Sequence, residues 1–420
     1  MIFDHKLSLR SYLETGILSE LTKIFELKIC TIGNLDYNLE LENVIFKRLN
    51  VIGLSLIENF ILGFYANCYW WSVANKSLSI QNKTWYRKNN KWDFTKANKL
   101  AEIYSKLFSN PPIRLSVYFL RGSLHKIANL IDKENETKIL YITSGGTSSI
   151  SDQLVSFFSK QDLGVYCIVE NWDNISSKAV FAHPAKMTGV WGDQSKKFAT
   201  RIHNIKDIQV LQIGNPRVEW LQKNVRKVDS PRDIFFGGGS VDFLQESIFL
   251  LSTLEIAKKF QARVFYLPHP KCYNLAREFV KSISSKNLFC IGNFQNKDSK
   301  EILPNLNTYL YPFNNAKIFI SSFSTLNLEA AVIGIPSIAI DLRTDIQVAE
   351  NRISDRHDHI KDILGSDIFQ IAHNIHDFKT LVSDLFRTSE SRMKSDSNEL
   401  SYLINLNNTY IERLKFFLNS

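Results

Sequence analysis

From Lys138 to Leu342 short apolar runs alternate with amphipathic helical periods, and few folds accommodate that alternation. KILYITSGG, GVYCIVEN, MTGVWG and IQVLQIGN read as strands, with helices over SISDQLVSFFSKQ and SKKFATRIHN between them. A second set follows: strands DIFFGGGS, RVFYLPHP, NLFCIGN, AKIFISSFS and PSIAIDL, and helices ESIFLLSTLEIAKKF, NLAREFVKSIS and TLNLEAAVIG. Buried β-branched runs alternating with helices predict parallel sheets covered on both faces. The expected fold class is α/β, with two doubly wound, Rossmann-like halves facing each other across a cleft, and ligands are expected at the carboxyl ends of the strands. The polar stretch Asn224 to Arg232 reads as the linker. The expected domains are 1–225, with a helical N-terminal part, and 226–400, with a C-terminal helix at 401–420 packing back on the first. Of the first 135 residues, LKICTIGN is the clear strand; most of the rest reads as helix.

Composition narrows the classes. Five cysteines, an odd number without a CxxC pair, suit reduced, scattered thiols better than a disulfide framework or a zinc site. The N-terminus carries charges where a signal peptide needs its apolar stretch. Val51 to Trp71 is long enough to span a bilayer, but Glu58 and Asn59 sit near its middle, so a buried helix is expected. The net charge of +9 is concentrated: Gln81 to Leu130 holds ten Lys/Arg against Asp93 and Glu102, with Trp85, Tyr86 and Trp92 among them. Such a mixture suits an anionic membrane surface, an acidic glycan or nucleic acid; an ordinary solvated helical face is the competing reading.

Three motifs at strand ends suit phosphate. Gly237, Gly238, Gly239 and Ser240 form a turn between a strand and a helix, either presenting N–H groups to an anion or serving as a tight turn. His269-Pro270 ends the next strand, where an imidazolium or a neutral N–H can donate to a phosphate. Ser321, Ser322, Ser324 and Thr325 end a later strand and open a helix, offering hydroxyls and N–H groups to an anion or a simple N-cap, with Glu329 a turn inside. No HxxxH, HExxH or interstrand DxD is present, so chemistry without a metal or other cofactor is expected. His357 and His359 flank Asp358 in a stretch that reads as solvated surface.

The HP dipeptide, the SS pair and SSFSTLNLEAAVIGIPSI resemble the nucleotide-binding half of bacterial GT-B glycosyltransferases. The pair of motifs resembles enzymes using CMP-activated acidic sugars: sialyl-, polysialyl- and Kdo transferases. That resemblance implies that His269, Ser321 and Ser322 contact the CMP phosphate. The same strand ends (Gly237 to Ser240, Pro270, Ser324, Thr325, Glu329) would complete the donor-nucleotide site. ENWDNISSKAV, MTGVWGDQSKKFA and IQVLQIGNPRVEWL resemble GT-B proteins of surface polysaccharide biosynthesis (capsule, lipopolysaccharide, O-antigen). The resemblance covers roughly residues 138 to 345. It implies an acceptor-side N-terminal domain, a nucleotide-sugar-binding C-terminal domain, and transfer of a nonulosonic or Kdo-type sugar to a surface glycan or lipid-linked acceptor. The implied location is the cytoplasm, with a peripheral station on the inner membrane face through 81–130 and no nucleic-acid partner. The D/E-D/E-G tripeptide of the sialyltransferases is missing. UDP-sugar transferases, CDP-alditol phosphotransferases and nucleotide-sugar epimerases share similar elements and stay open, as does a non-catalytic glycan-binding protein.

Glycosyl transfer needs a carboxylate to deprotonate the acceptor or act as nucleophile. Asp173 and Glu170, after the strand GVYCIVEN, rank first and second; Asp152, opening the preceding helix, ranks third. Each has an N-cap or ion-pair reading beside the catalytic one. Trp172 suits either stacking on a sugar ring or core packing.

Overall fold

A computed structural model of the chain describes residues 1–3, 6–32, 44–49, 56–74, 76–81, 96–107, 138–143, 158, 164–178, 185–226, 228–239, 243–283, 285–291, 305–342, 352–388 and 397–420. Two compact units emerge: 1–217 with 357–359 and 401–420, and 218–356 with 360–400. The division falls inside the helix Pro216–Asn224 rather than near 225, because Leu221 on that helix is buried in the core of the second unit.

Among the described residues the first unit is built on seven parallel strands: β1 (Ile2–Phe3), β2 (Leu27–Ile32), β3 (Val44–Leu49), β4 (Lys138–Thr143), β5 (Gly164–Val169), β6 (Met187–Val190) and β7 (Val210–Gln212). Their order is β3-β2-β1-β4-β5-β6-β7. Successive side chains point to opposite faces. On β4, Ile139 and Tyr141 therefore enter one core with Val165, Cys167 and Phe198. Leu140 and Ile142 enter the other, with Tyr166, Leu9 and Phe417. The near-continuous burial of β4 and β5 follows from these two covered faces.

The helix Tyr410–Asn419 belongs to this unit. Thr409 and Glu412 form a capping box that fixes its start, and it buries Tyr410, Leu414, Phe417 and Leu418. At ~1.5–3 kcal/mol for each large apolar side chain fully buried, these four outweigh any surface pairing of the tail.

Two readings are corrected here. The stretch 357–359 is not a solvated surface. Asp358 accepts from Ser77, Ser79 and Arg201, while His359 is only 6% exposed and pairs through Nδ1 with the Ser176 hydroxyl at 2.8 Å. The apolar segment near residue 60 is only half buried. Within the helix Leu56–Ala74, Tyr69, Trp70 and Val73 are in the core, but Leu56 is 90% and Ile57 70% exposed. Among the described residues no helix is long and apolar enough to cross a membrane.

Among its described residues the second unit holds six parallel strands: β8 (Asp233–Gly237), β9 (Val264–Leu267), β10 (Leu288–Cys290), β11 (Ala316–Ser322), β12 (Ser337–Ile340) and β13 (Gln370–Ala372). The order is β10-β9-β8-β11-β12-β13. Strand order reverses between β8 and β11 here, and between β1 and β4 in the first sheet. In doubly wound sheets, ligands bind beyond the carboxyl ends at such a reversal.

His203 makes the first unit acid-sensitive. Its Nε2 donates to the Ile175 carbonyl at 2.7 Å and its Nδ1 accepts from the Tyr69 hydroxyl at 2.8 Å. Burial holds its pKa down to about 4, so it is neutral in the fold. An unfolded histidine takes up a proton near pH 6.5, so this contribution is complete above that pH and is lost as pH falls towards 4. His203→Gln keeps one donor and one acceptor without the titration. Its melting temperature should fall less between pH 7 and 4.5 than that of the wild type, by the equivalent of ~1–3 kcal/mol. Parallel melting curves of the two proteins would contradict this.

Candidate functional site

The parallel register sets Gly237 opposite Leu267 on β9 and opposite Ser321 on β11. Three strand ends therefore meet at the reversal point of the second sheet. A Cβ on Gly237 would lie 3.4 Å from Ser321 Oγ, and one on Gly238 would lie 2.7 Å from the backbone nitrogen of His269. A Cβ on Gly239 would run into the Ser322 hydroxyl. The glycine turn is thus wedged between the histidine of the HP dipeptide and the SS pair, and close approach explains why it is glycine.

Two N–H groups of the turn, at Gly238 and Gly239, are taken up within the fold. Gly238 N–H donates to the Leu267 carbonyl at 2.7 Å, and Gly239 N–H donates to Glu246 Oε2 at 2.6 Å. The donors at this edge are side chains. His269 Nδ1 accepts from the Lys271 N–H at 3.2 Å, which leaves the ring proton on Nε2. Burial, reinforced by the nearby Lys271 charge, lowers the His269 pKa to about 4. Of the imidazolium and the neutral ring, the neutral Nε2–H donor is the form present near neutrality. Pro270 is exposed beyond it.

Ser321 is fully buried and Ser322 nearly so. Ser321 Oγ lies 3.1 Å from Ser324 Oγ, and Ser324 donates through N and Oγ to Asn327 Oδ1 at 3.0 Å. Asn327 in turn donates to the Ser337 hydroxyl at 2.9 Å. Ser324 therefore does serve as the N-cap of the helix Thr325–Val332, and that bonding holds the end of β11 in place. Glu329, 1% exposed, lies inside the same helix. Ser240 falls outside the described residues.

Glu246, Tyr266 and Asn327 escape the sequence reading. Glu246 is 3% exposed and accepts from Gly239 N–H and from the Tyr266 hydroxyl at 2.8 Å. Burial pushes its carboxyl up to about 7, against those two bonds. The signal was present: Phe243, Glu246, Ser247 and Leu250 share one helical face, so an acid occupies a core-facing position.

At the carboxyl end of β5 the two described carboxylates differ. Glu170 is 6% exposed, accepts from the Ser8 hydroxyl, and its carbonyl takes the Trp191 Nε1–H and the Asn215 amide. Asp173 is at the N-cap of the short helix Asn174–Ser177, and its carboxylate accepts from Ser177 Oγ at 3.2 Å. Glu170 is therefore the held carboxylate at this edge, and Asp173 a helix-end residue. Trp172 packs edge-on against His359 at 4.8 Å and is 3% exposed, which is core packing and not an open stacking face. Asp152 lies outside the described residues. Among the described residues no group of three or more His, Cys, Asp or Glu is placed to hold a metal ion.

No protein-family model matches the chain, and no curated protein matches it. Solved structures do. UDP-GlcNAc 2-epimerase of Methanocaldococcus jannaschii, in complex with UDP-GlcNAc and UDP, aligns at 13% identity and TM-score 0.53 over 100% of this chain and 98% of its own. The Neisseria meningitidis enzyme bound to UDP-GlcNAc gives 12%, TM-score 0.54, 100% and 98%. The Rickettsia bellii UDP-N-acetylglucosamine 2-epimerase gives 11%, TM-score 0.54, 100% and 95%. At such identities the likeness shows the fold: two Rossmann-like units of GT-B type. It extends through the first 135 residues, beyond the reach of the sequence resemblance. These three neighbours are UDP-sugar enzymes and lend the CMP-donor reading no support.

Backbone atoms of Pro268 and His269 crowd a Cβ at Gly238, whereas only side-chain atoms, at 3.1 Å or more, meet one at Gly237. Gly238→Ala should cost ~1–3 kcal/mol in chemical denaturation and Gly237→Ala clearly less. Equal losses, or none at Gly238, would contradict the wedge.

Proposed function

We propose that this chain is a nucleotide-sugar-dependent enzyme that binds the phosphates of its sugar nucleotide at the carboxyl edge of the second sheet. The supporting observation is the convergence of the chain at His269 with Ser321 and Ser322 around one glycine turn at the strand-order reversal. In such a site, hydroxyls and a neutral imidazole N–H donate to phosphate oxygens and stabilise the charge that develops as the nucleotide leaves. A UDP-sugar is favoured over a CMP-sugar, since two of the structural neighbours above carry UDP-GlcNAc; the HP and SS motifs keep CMP-sugars as the second choice. Glu170, ahead of Asp173, is the carboxylate assigned to the sugar or acceptor side.

The leading reaction is glycosyl transfer to a glycan or lipid-linked acceptor. Epimerisation of a free UDP-sugar is the second reading, favoured by the whole-length likeness to 2-epimerases. Product analysis with UDP-GlcNAc alone separates them, because an epimerase turns over without an acceptor. UDP, CMP, CDP and GDP are compared by thermal shift, since a ligand of the folded state raises the melting temperature. UDP should give the largest shift. His269→Ala should reduce turnover ~10²–10³-fold. Glu170→Gln should abolish turnover while leaving the UDP shift intact. A silent panel, or a folded His269→Ala with unchanged kcat/KM, would refute the proposal.

An anionic membrane surface is proposed as a further partner of the first unit. Of the basic segment, only Gln81 and the helix Lys96–Leu107 lie among the described residues. On that helix Leu100, Ile103 and Leu107 are 49%, 56% and 71% exposed at spacings of three and four, with Lys99 and Lys106 exposed beside them. An apolar stripe flanked by lysines suits the interface of an anionic bilayer, whose charge complements the +8 of the segment. Co-sedimentation with phosphatidylserine vesicles should be strong at low salt and weak at high salt. Binding indifferent to lipid charge, or none, would return the helix to ordinary surface.

A further inference from the structure

Glu246 is a buried acid with an unusual address. It stands against the glycine turn, with Oε1 2.9 Å and Oε2 3.5 Å from where Cβ atoms of Gly238 and Gly239 would be. The His269 backbone nitrogen crowds the first of those positions and the Ser322 hydroxyl the second. An anion held by Ser322 beside His269 would thus come close to a buried carboxylate. Two negative charges at that spacing, in a water-poor setting, repel each other strongly.

The surroundings allow a neutral carboxyl. A hydroxyl both donates and accepts, so when Glu246 gains a proton it can donate to Tyr266 while Oε2 keeps the Gly239 N–H. Both hydrogen bonds survive the change of charge. Tyr266 faces Glu246 from β9, His269 follows just beyond that strand, and Cys272 approaches the Gly239 carbonyl with its thiol at 3.7 Å. Cys290 on β10 stands beyond Tyr266. Burial pushes Tyr266 far up and Cys290 to about 11, and it lowers His269 to about 4, so none of these changes charge between pH 6 and 8.

We propose that Glu246 is a positioning residue that couples nucleotide-sugar binding to a proton: the phosphates bind with Glu246 neutral, and the carboxylate takes up one proton from solvent as they enter. This rests on the nucleotide-sugar reading above. Burial that already brings Glu246 to about 7 places the exchange in the physiological range. The sign is fixed: affinity is full where Glu246 is protonated and falls as pH rises through its titration.

The experiment is a pH series of dissociation constants by calorimetry, using UDP-GlcNAc and CMP-N-acetylneuraminate, whose phosphates do not titrate between pH 6 and 8. Affinity should fall ~3–10-fold over that range, and in buffers of different ionisation enthalpy the heat should report proton uptake. Glu246→Gln should flatten the profile near its acid limit. Tyr266→Phe, which removes a donor to the ionised form, should move the fall to higher pH and serves if Glu246→Gln does not fold. Cys272→Ser should keep the wild-type profile. Binding that is flat with pH, or that tightens as pH rises, would overturn the coupling and leave the nucleotide-sugar reading standing. Binding of neither probe at any pH would overturn both.

Discussion

Parallel pairing of β8 with β9 on one side and β11 on the other governs the second unit's functional edge. Because Gly237 is level with both Leu267 and Ser321, three chain segments far apart in sequence leave the sheet at the same height. Their next residues are then forced together, and only glycine leaves room at 238 and 239. The apolar residues of these strands hold that register from both faces. Phe236 and Ile320 anchor one core, Phe235 and Phe319 the other, so a one-residue slip would exchange the two sets. The chemistry at the edge is a consequence of packing within the sheet.

Electrostatics then decides what the edge can hold. His269 is kept neutral by burial, so its ring presents a directed N–H and not a charge. Glu246 adds a latent negative charge against the turn, bonded to Gly239 and Tyr266. The first unit has a different character. Glu170 is enclosed and hydrogen-bonded by Ser8, while Asp173 is engaged with Ser177 at a helix end. Enclosure is the better setting for a reactive carboxylate, which is the ground on which Glu170 is proposed ahead of Asp173.

Much of the fold was legible because parallel strands covered on both faces are nearly continuous apolar runs, as in ILYIT, VYCIV and KIFIS. Where that signal is short it vanishes. β1 is two residues and β13 three, and neither shows a period, though β1 is central in its sheet. At the second edge His269, Ser321 and Ser322 were legible as polar residues punctuating apolar strands. The hydrogen-bonding of the glycine turn was not, since it depends on Glu246 reaching back from a helix seven residues on. Likewise, Asp358 and His359 read as surface because their partners, Ser77, Ser79 and Ser176, are remote in sequence.

The central claim is that nucleotide-sugar phosphates bind where β8, β9 and β11 end together. Hydrogen–deuterium exchange with and without saturating UDP-GlcNAc tests it most directly, because protection is read segment by segment. The account predicts slowed exchange in peptides covering 237–239, 268–273 and 321–327, with the amino ends of the same strands, around Asp233 and Arg263, unchanged. Binding that protects other parts of the chain and leaves these three segments untouched would contradict it.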